Sequence, residues 1–260
     1  MLPDARFEGR LARISLRDPA RRNALSVGAL AELERLIGGV ASNGAIDALV
    51  IEGEGASFCS GFDLTLCADE PARAADLLNG LGACVAALRA LDIPVVARVQ
   101  GAALAGGCAL LTGSDFVVVS ADAQLGYPVH RIGITPAVSA PTLFSRMGPA
   151  ARALMLSGEI IDGRAALTRG LATHCVEPDR LDAEVEALAA RLLAKGPVAM
   201  RATKRWIREI EERGAGDIGP ARGRDAAATA AARAGSVALV DGDEFATMLR
   251  AFWSTRGERK

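Results

Sequence analysis

A layered α/β fold with a mainly helical last third is what the sequence predicts, and three observations carry that reading. Strand-like and helix-like apolar patterns alternate through the first 120 residues. Glycine and proline fall between these patterns rather than inside them. Beyond Thr135 the apolar spacing becomes helical.

The first element is a half-buried strand, in which Leu11, Ile14 and Leu16 roughly alternate with Arg10, Arg13 and Arg17. Asp18, Pro19 and Asn23 mark a loop, and Leu30, Leu33, Leu36, Ile37 and Val40 then repeat at helical spacing over 29–40. After Asn43 and Gly44, residues 46–52 read as a strand. The Ala/Leu-rich stretch 72–91 reads as a helix, and Pro94 opens a β-branched run, 95–99, suited to a buried strand. Gly106 and Gly107 precede a short apolar helix, and 116–119 is a further strand. Helices follow at 137–147, 150–156, 164–169, 181–194 and 198–213. Gly214, Gly216, Gly219, Pro220 and Gly223 form a breaker-rich hinge before helical segments 224–234 and 244–252. The expected organisation is a core over 1–195 and a helical C-terminal region over 196–260, packed on the core or on a neighbouring subunit.

At 260 residues the chain fits one large α/β domain with a C-terminal appendage. Half of it is hydrophobic against 23% charged residues, which describes a chain that folds rather than a disordered one. A formal charge of −1 gives no electrostatic footprint for nucleic acid or an anionic membrane surface. Cys59, Cys67, Cys84, Cys108 and Cys175 form no metal-ligand spacing and, being odd in number, cannot all pair, so a reducing cytoplasm fits best. The charged first 13 residues lack a signal-type apolar run. Arg98, Gln100 and Asp115 interrupt the most apolar region, 95–119, against a membrane-spanning helix.

Ordinary cofactor and nucleophile motifs fail. The 101–107 stretch has neither the Lys-Ser/Thr of a phosphate loop nor the glycine spacing of a dinucleotide fingerprint. His130 and His174 have no partners at zinc-ligand spacing, and no G-x-S-x-G elbow exists. That leaves the backbone. Two glycine-containing turns, Phe58-Cys59-Ser60-Gly61-Phe62-Asp63-Leu64 and the one from Gly101 to Gly107, each follow a strand. Taken singly, either is ordinary chain reversal. Together, one N–H from each, converging on a point, would hold a developing oxyanion.

The order and wording of these segments resemble the enoyl-CoA hydratase/isomerase (crotonase) family over nearly the whole chain. Arg22-Asn23-Ala24-Leu25-Ser26 is similar to the family's R-x-N-A-L-S loop and the 58–64 turn to its F-x-A-G-x-D-L. Residues 100–108 are similar to N-G-x-A-x-G-G-G; Gly133-Ile134-Thr135-Pro136 and the stretch from Leu156 to Leu171 follow in family order. The resemblance implies a spiral of β-β-α repeats, a helical C-terminal trimerisation region, and homotrimers or hexamers built as paired trimers. It implies an acyl-CoA substrate, with coenzyme A as part of that substrate and no permanently bound cofactor or metal. The oxyanion donors carried over are the backbone N–H groups of Ser60 and Gly106. Asn23, Ala24, Leu25, Ser60, Gly61, Phe62, Asp63, Leu64, Gly106, Gly107 and Val129 are the implied substrate-binding positions.

The departures from the family bear on the chemistry. Family hydratases carry one glutamate after the Gly-Gly-x turn and another after the next strand; here those positions hold Ala109 and Val129. The aspartate that some relatives use further on is replaced by residues such as Ala137 or Val138. Among substitutes, the imidazole of His130 suits proton transfer near neutrality. On an extended segment, however, it faces away if Val129 faces the pocket. Tyr127 shares the Val129 side and is able to donate a hydrogen bond; the plainer reading is a half-buried ring with its hydroxyl at the surface. Asp63 reads as a cap. Asp69 and Glu70 fall in a loop that the resemblance sets along the acyl pocket, although such charges are commonly solvated. Asp115 reads as structural, His174 as packing, and Lys204 and Arg205 as the wet face of a helix.

The leading expectation is a hydratase/isomerase-like enzyme stabilising a thioester enolate. The alternatives are an acyl-CoA decarboxylase, which needs mainly the oxyanion hole, a non-catalytic acyl-CoA-binding protein, and thioester hydrolysis.

Overall fold

Ser26 starts the first long helix, α1 (Val27–Ser42), by accepting a hydrogen bond from the Ala29 N–H at 3.1 Å. Leu30, Leu33, Ile37 and Val40 then fall on its buried face. The computed structural model describes residues 1–67 and 70–213, with 237, 246, 247, 249, 250, 253 and 254. The hinge 214–223, the helix 224–234 and Asp69 lie outside the described residues. So does most of 244–252, of which 246, 247, 249 and 250 are described and helical.

Six strands form the main sheet. In spatial order they are β1 (Asp4–Glu8), β2 (Leu11–Leu16), β3 (Ala48–Gly53), β4 (Val95–Val99), β6 (Phe116–Ser120) and β9 (His174–Val176). Only the β1–β2 pair is antiparallel. A second sheet of three-residue strands joins β5 (Ala102–Leu104), β7 (Gln124–Gly126) and β8 (Ile160–Asp162).

Both faces of the main sheet are covered, as a parallel sheet requires. Leu49, Ile51, Ala97, Val117 and Val119 face the core that includes α1, α2 (Arg73–Ala90) and α3 (Gly106–Leu111). Leu11, Val50, Val96 and Val118 pack instead on α7 (Leu181–Leu193), through Leu181, Val185 and Leu188. The remaining helices are α4 (Ala140–Met147), α5 (Ala150–Ser157), α6 (Gly163–Thr168) and α8 (Pro197–Arg213).

Three expectations are corrected here. The strand expected around Leu11–Leu16, β2, is buried on both faces, not one, because α7 covers its outer side; Arg13 is 4% exposed and pairs with Glu8, Glu52 and Glu186. The helix expected over 137–147 is a 3-10 turn, Pro136–Ser139, followed by α4, with Pro141 in the first turn of α4. Lys204 does not face water. Its ammonium lies 2.7 Å from Asp115 and donates to the Ile93 carbonyl at 2.6 Å, which ties α8 to the segments that lead into β4 and β6. Asp115 also accepts from the Val95 N–H at 2.7 Å, the structural role expected of it. Arg205 is exposed and pairs with Asp92.

Candidate active site

Three loops meet at the carboxyl ends of β3 and β4. The 22–25 loop is bonded to the 58–64 turn by the Ser60 N–H to the Arg22 carbonyl (2.9 Å), the Leu25 N–H to the Gly61 carbonyl (2.8 Å) and the Asp63 N–H to the Leu25 carbonyl (2.9 Å). On its other side the turn is bonded to the 100–104 segment, through Phe58 N–H to Gln100 (2.8 Å), Cys59 N–H to Ala102 (2.8 Å) and Leu104 N–H to Cys59 (3.0 Å). The two glycine-containing turns are therefore neighbours joined by backbone hydrogen bonds, with α3 beginning where they meet.

Glycine is required at two places by space. A β-carbon on Gly107 would lie 2.4 Å from the Cys59 carbonyl oxygen, and one on Gly101, at φ +53°, would lie 2.0 Å from the Ala56 carbonyl oxygen. Each close approach is what lets the second turn fold under the first. Between them Ala105 adopts φ 50° and ψ −112°, a strained conformation for an L-residue, and this aims the chain into α3.

The Ser60 N–H, the expected donor, is taken by Arg22. Gly61 is the reason. Its φ of +103° shifts the strand-like alternation, so the amides of Ser60 and Asp63, three apart, both turn to the 22–25 loop. Phe62 is left facing away from that loop, and among the described residues nothing accepts from its N–H. Nothing among them accepts from the Gly106 N–H either, the first amide of α3. The two are close: a β-carbon built on Gly61 would stand 3.8 Å from the Gly106 nitrogen, and one on Gly106 would stand 3.3 Å from the Phe62 ring.

Asn23 is 2% exposed at φ 55°, and its side-chain amide is fully engaged. It donates to the carbonyls of Glu54, Ser57 and Phe58 and accepts from the Asp18 N–H, so it fixes the loop. Ala24 is half-buried, and Leu25 and Leu64 are buried. Asp63 accepts from the Thr65 N–H at 3.2 Å, as a cap does, and pairs with Arg21 at 2.9 Å. Glu70 is exposed and pairs with Arg73.

The side chains beside the turns are apolar or locked. Ala109 (2% exposed) and Val129 (7%) belong to the core. Tyr127 is not half-buried: it is 1% exposed, and its hydroxyl accepts from the Ser139 hydroxyl at 3.1 Å. Burial, together with the neighbouring Cys108, raises its pKa and keeps it a phenol. Burial likewise pushes the thiols of Cys59 and Cys108 up to about 12, so neither is a nucleophile near neutrality. The 127–132 segment is not extended as expected. Val129 has φ −86° and ψ −22° and leads into a 3-10 turn, His130–Ile132, that turns the His130 ring to solvent. His174 is half-buried on β9, tilted against Phe116 with 6.3 Å between ring centroids. Among the described residues no three His, Cys, Asp or Glu side chains gather to hold a metal, and no helix is long and apolar enough to cross a membrane.

This fold superposes on those of solved enoyl-CoA hydratases and isomerases. An enoyl-CoA hydratase/isomerase from Xanthobacter autotrophicus Py2 superposes with a TM-score of 0.85 at 26% identity, over 100% of this chain and 98% of that one. An enoyl-CoA hydratase from Mycobacterium smegmatis gives 0.79 at 30% identity, over 89% and 90%. Residues 6–215 match the family model for enoyl-CoA hydratase/isomerase. The chain belongs to that family. It is 34% identical over 201 residues to a crotonyl-CoA hydratase of Syntrophomonas wolfei, covering 76% of this chain and 77% of that protein. It is 32% identical over 205 residues to a 2,3-dehydroadipyl-CoA hydratase of Escherichia coli, covering 78% and 80%.

Proposed function

We propose that this protein is an enzyme acting on acyl-CoA thioesters, and that it polarises the thioester carbonyl with the backbone N–H groups of Phe62 and Gly106. The observation that carries the reading is the pair of neighbouring, unaccepted amides at the junction of the two turns. A thioester oxygen between them gains negative charge as an enolate forms at the α-carbon, and fixed donors stabilise that charge without reorganising. Each is worth on the order of 3 kcal/mol in the transition state. The backbone of 23–25 and 60–64 supplies the crevice for pantetheine and adenine. Family membership and the curated hydratases it resembles support the substrate class. We extend the reading, on the family resemblance, to a cytoplasmic homotrimer or pair of trimers, which light scattering tests.

Ala109 and Val129 favour a second reading of the reaction itself. Hydration needs a base to activate water, and these positions offer none. Decarboxylation of a malonyl-type thioester does not: the bond from the α-carbon to the carboxylate breaks, carbon dioxide leaves, and the electron pair enters the enolate. The α-carbon then takes a proton from water. A mass-spectrometric assay of enoyl-, malonyl-type and saturated acyl-CoAs in heavy-oxygen water separates the reactions. Conversion that Gly106→Pro abolishes is the expected result, with carbon dioxide loss favouring the second reading. Tight acyl-CoA binding with no conversion of any of them would replace the enzyme with a binding protein.

A further inference from the structure

At the other end of α3 from the Gly106 turn, Thr112, Gly113 and Ser114 open onto a cleft of about 340 Å³, a size that holds a small metabolite. The cleft lies between that end of α3, helix α4 and helix α8, and four cations line it. Three of them are matched by carboxylates: Arg89 with Glu211 (2.9 Å), Lys204 with Asp115 (2.7 Å) and Arg208 with Asp92 (3.1 Å). Arg146 is not. Its guanidinium donates to the Ser114 and Leu171 carbonyls, and among the described residues no carboxylate lies within ion-pair distance. Burial, the largest influence on it, lowers its pKa and outweighs the more distant pull of Asp115 and Glu211. Beside it Ser114 is 3% exposed, and its hydroxyl oxygen is buried with no hydrogen-bond partner among the described residues. A buried hydroxyl with no partner, beside a half-buried guanidinium with no carboxylate, is costly unless something completes the pair.

We propose that this cleft is a binding site for a small oxyanion, a phosphate or carboxylate group, held by the Arg146 guanidinium with Ser114 donating its hydroxyl. An anion there balances the one unmatched cation among the four and gives the Ser114 hydroxyl its acceptor. The site is separate from the acyl-CoA crevice and does not depend on the reaction proposed above.

The test is the thermal unfolding midpoint of the full chain against inorganic phosphate, and separately against malonate, at constant ionic strength. A ligand that binds the folded state raises the midpoint with the logarithm of its concentration. The wild type is expected to show that rise with at least one of the two anions, and the stronger response identifies the source chemistry. Arg146→Met is expected to abolish it. Ser114→Ala is expected to weaken the anion about tenfold while leaving the unliganded midpoint equal or higher, because it removes an unsatisfied hydroxyl. A merely structural Ser114 would not give that opposite pair of effects. No saturable rise in the wild type would overturn the proposal, including the case in which residues 214–260 fill the cleft. An equal rise in Arg146→Met, or displacement of the anion by free coenzyme A, would also overturn it.

Discussion

The 58–64 and 101–107 turns are held by backbone hydrogen bonds and by glycines that no other residue replaces, whereas the positions beside them, Ala109, Tyr127 and Val129, are held by side-chain packing. The difference separates what the fold fixes from what it leaves free. A donor made of backbone survives as long as the chain folds this way. A general acid or base is one side chain, and replacing it with alanine or valine leaves the core packed. On the function proposed above, the polarising half of the chemistry is kept without the proton-moving half.

The severest way to break the comparison is Gly107→Val, which drives a β-carbon into the Cys59 carbonyl 2.4 Å away. A loss of about 4 kcal/mol or more is expected in urea unfolding. A milder variant addresses the donor alone. Gly106→Pro removes an N–H at the first helical position, where proline is tolerated, and Gly106→Ala makes the same close approach to Leu25 and Phe62 while keeping the N–H. Relative to alanine, proline is expected to lower kcat by about 10²–10³.

How tightly the region is sealed is legible in alkali. Burial raises the thiols of Cys59, Cys84 and Cys108 to about 12 and Cys67 to about 11, against about 8.5 in an unfolded chain. Folded values above unfolded ones mean full stability below the unfolded pKa and progressive loss as pH rises towards the folded values. Each thiol contributes about 1.4 kcal/mol of loss per pH unit in that window. Urea midpoints across it should fall steeply, and Cys59→Ala should remove one thiol's share of the slope.

Two smaller effects sharpen the contrast. Ala109→Glu is expected to raise hydration of crotonyl-CoA at least about tenfold, since it adds a base beside donors already in position; no gain would mean the turns are not poised for catalysis. Ala105→Gly relieves a strained φ of 50° at the loss of one methyl group, and should stabilise the fold by about 1 kcal/mol.

Much of the frame was legible from local pattern alone. The β-branched run of β4 and the short apolar helix after Gly106 fall where expected, because their apolar residues are contiguous. Strands β5, β7 and β8 were invisible, being three residues long and so too short to show a period. In the site, the joining of the two turns was legible, but the φ of Gly61, which no spacing encodes, turns the Ser60 amide to Arg22 and leaves the Phe62 amide without an acceptor among the described residues. Tyr127 and Lys204 were misjudged for a shared reason. Their polar atoms are satisfied by Ser139 and Asp115, partners brought from 12 and 89 residues away, so burial there depends on tertiary contacts.

The central claim, that the Phe62 and Gly106 amides polarise a thioester carbonyl, is tested most directly by isotope-edited infrared spectroscopy of a bound enoyl-CoA labelled at the thioester carbonyl carbon. The carbonyl stretch should move to lower frequency on binding to the wild type and to Gly106→Ala, and return towards its position in water in Gly106→Pro. A bound carbonyl stretching at its aqueous frequency in the wild type would contradict the claim.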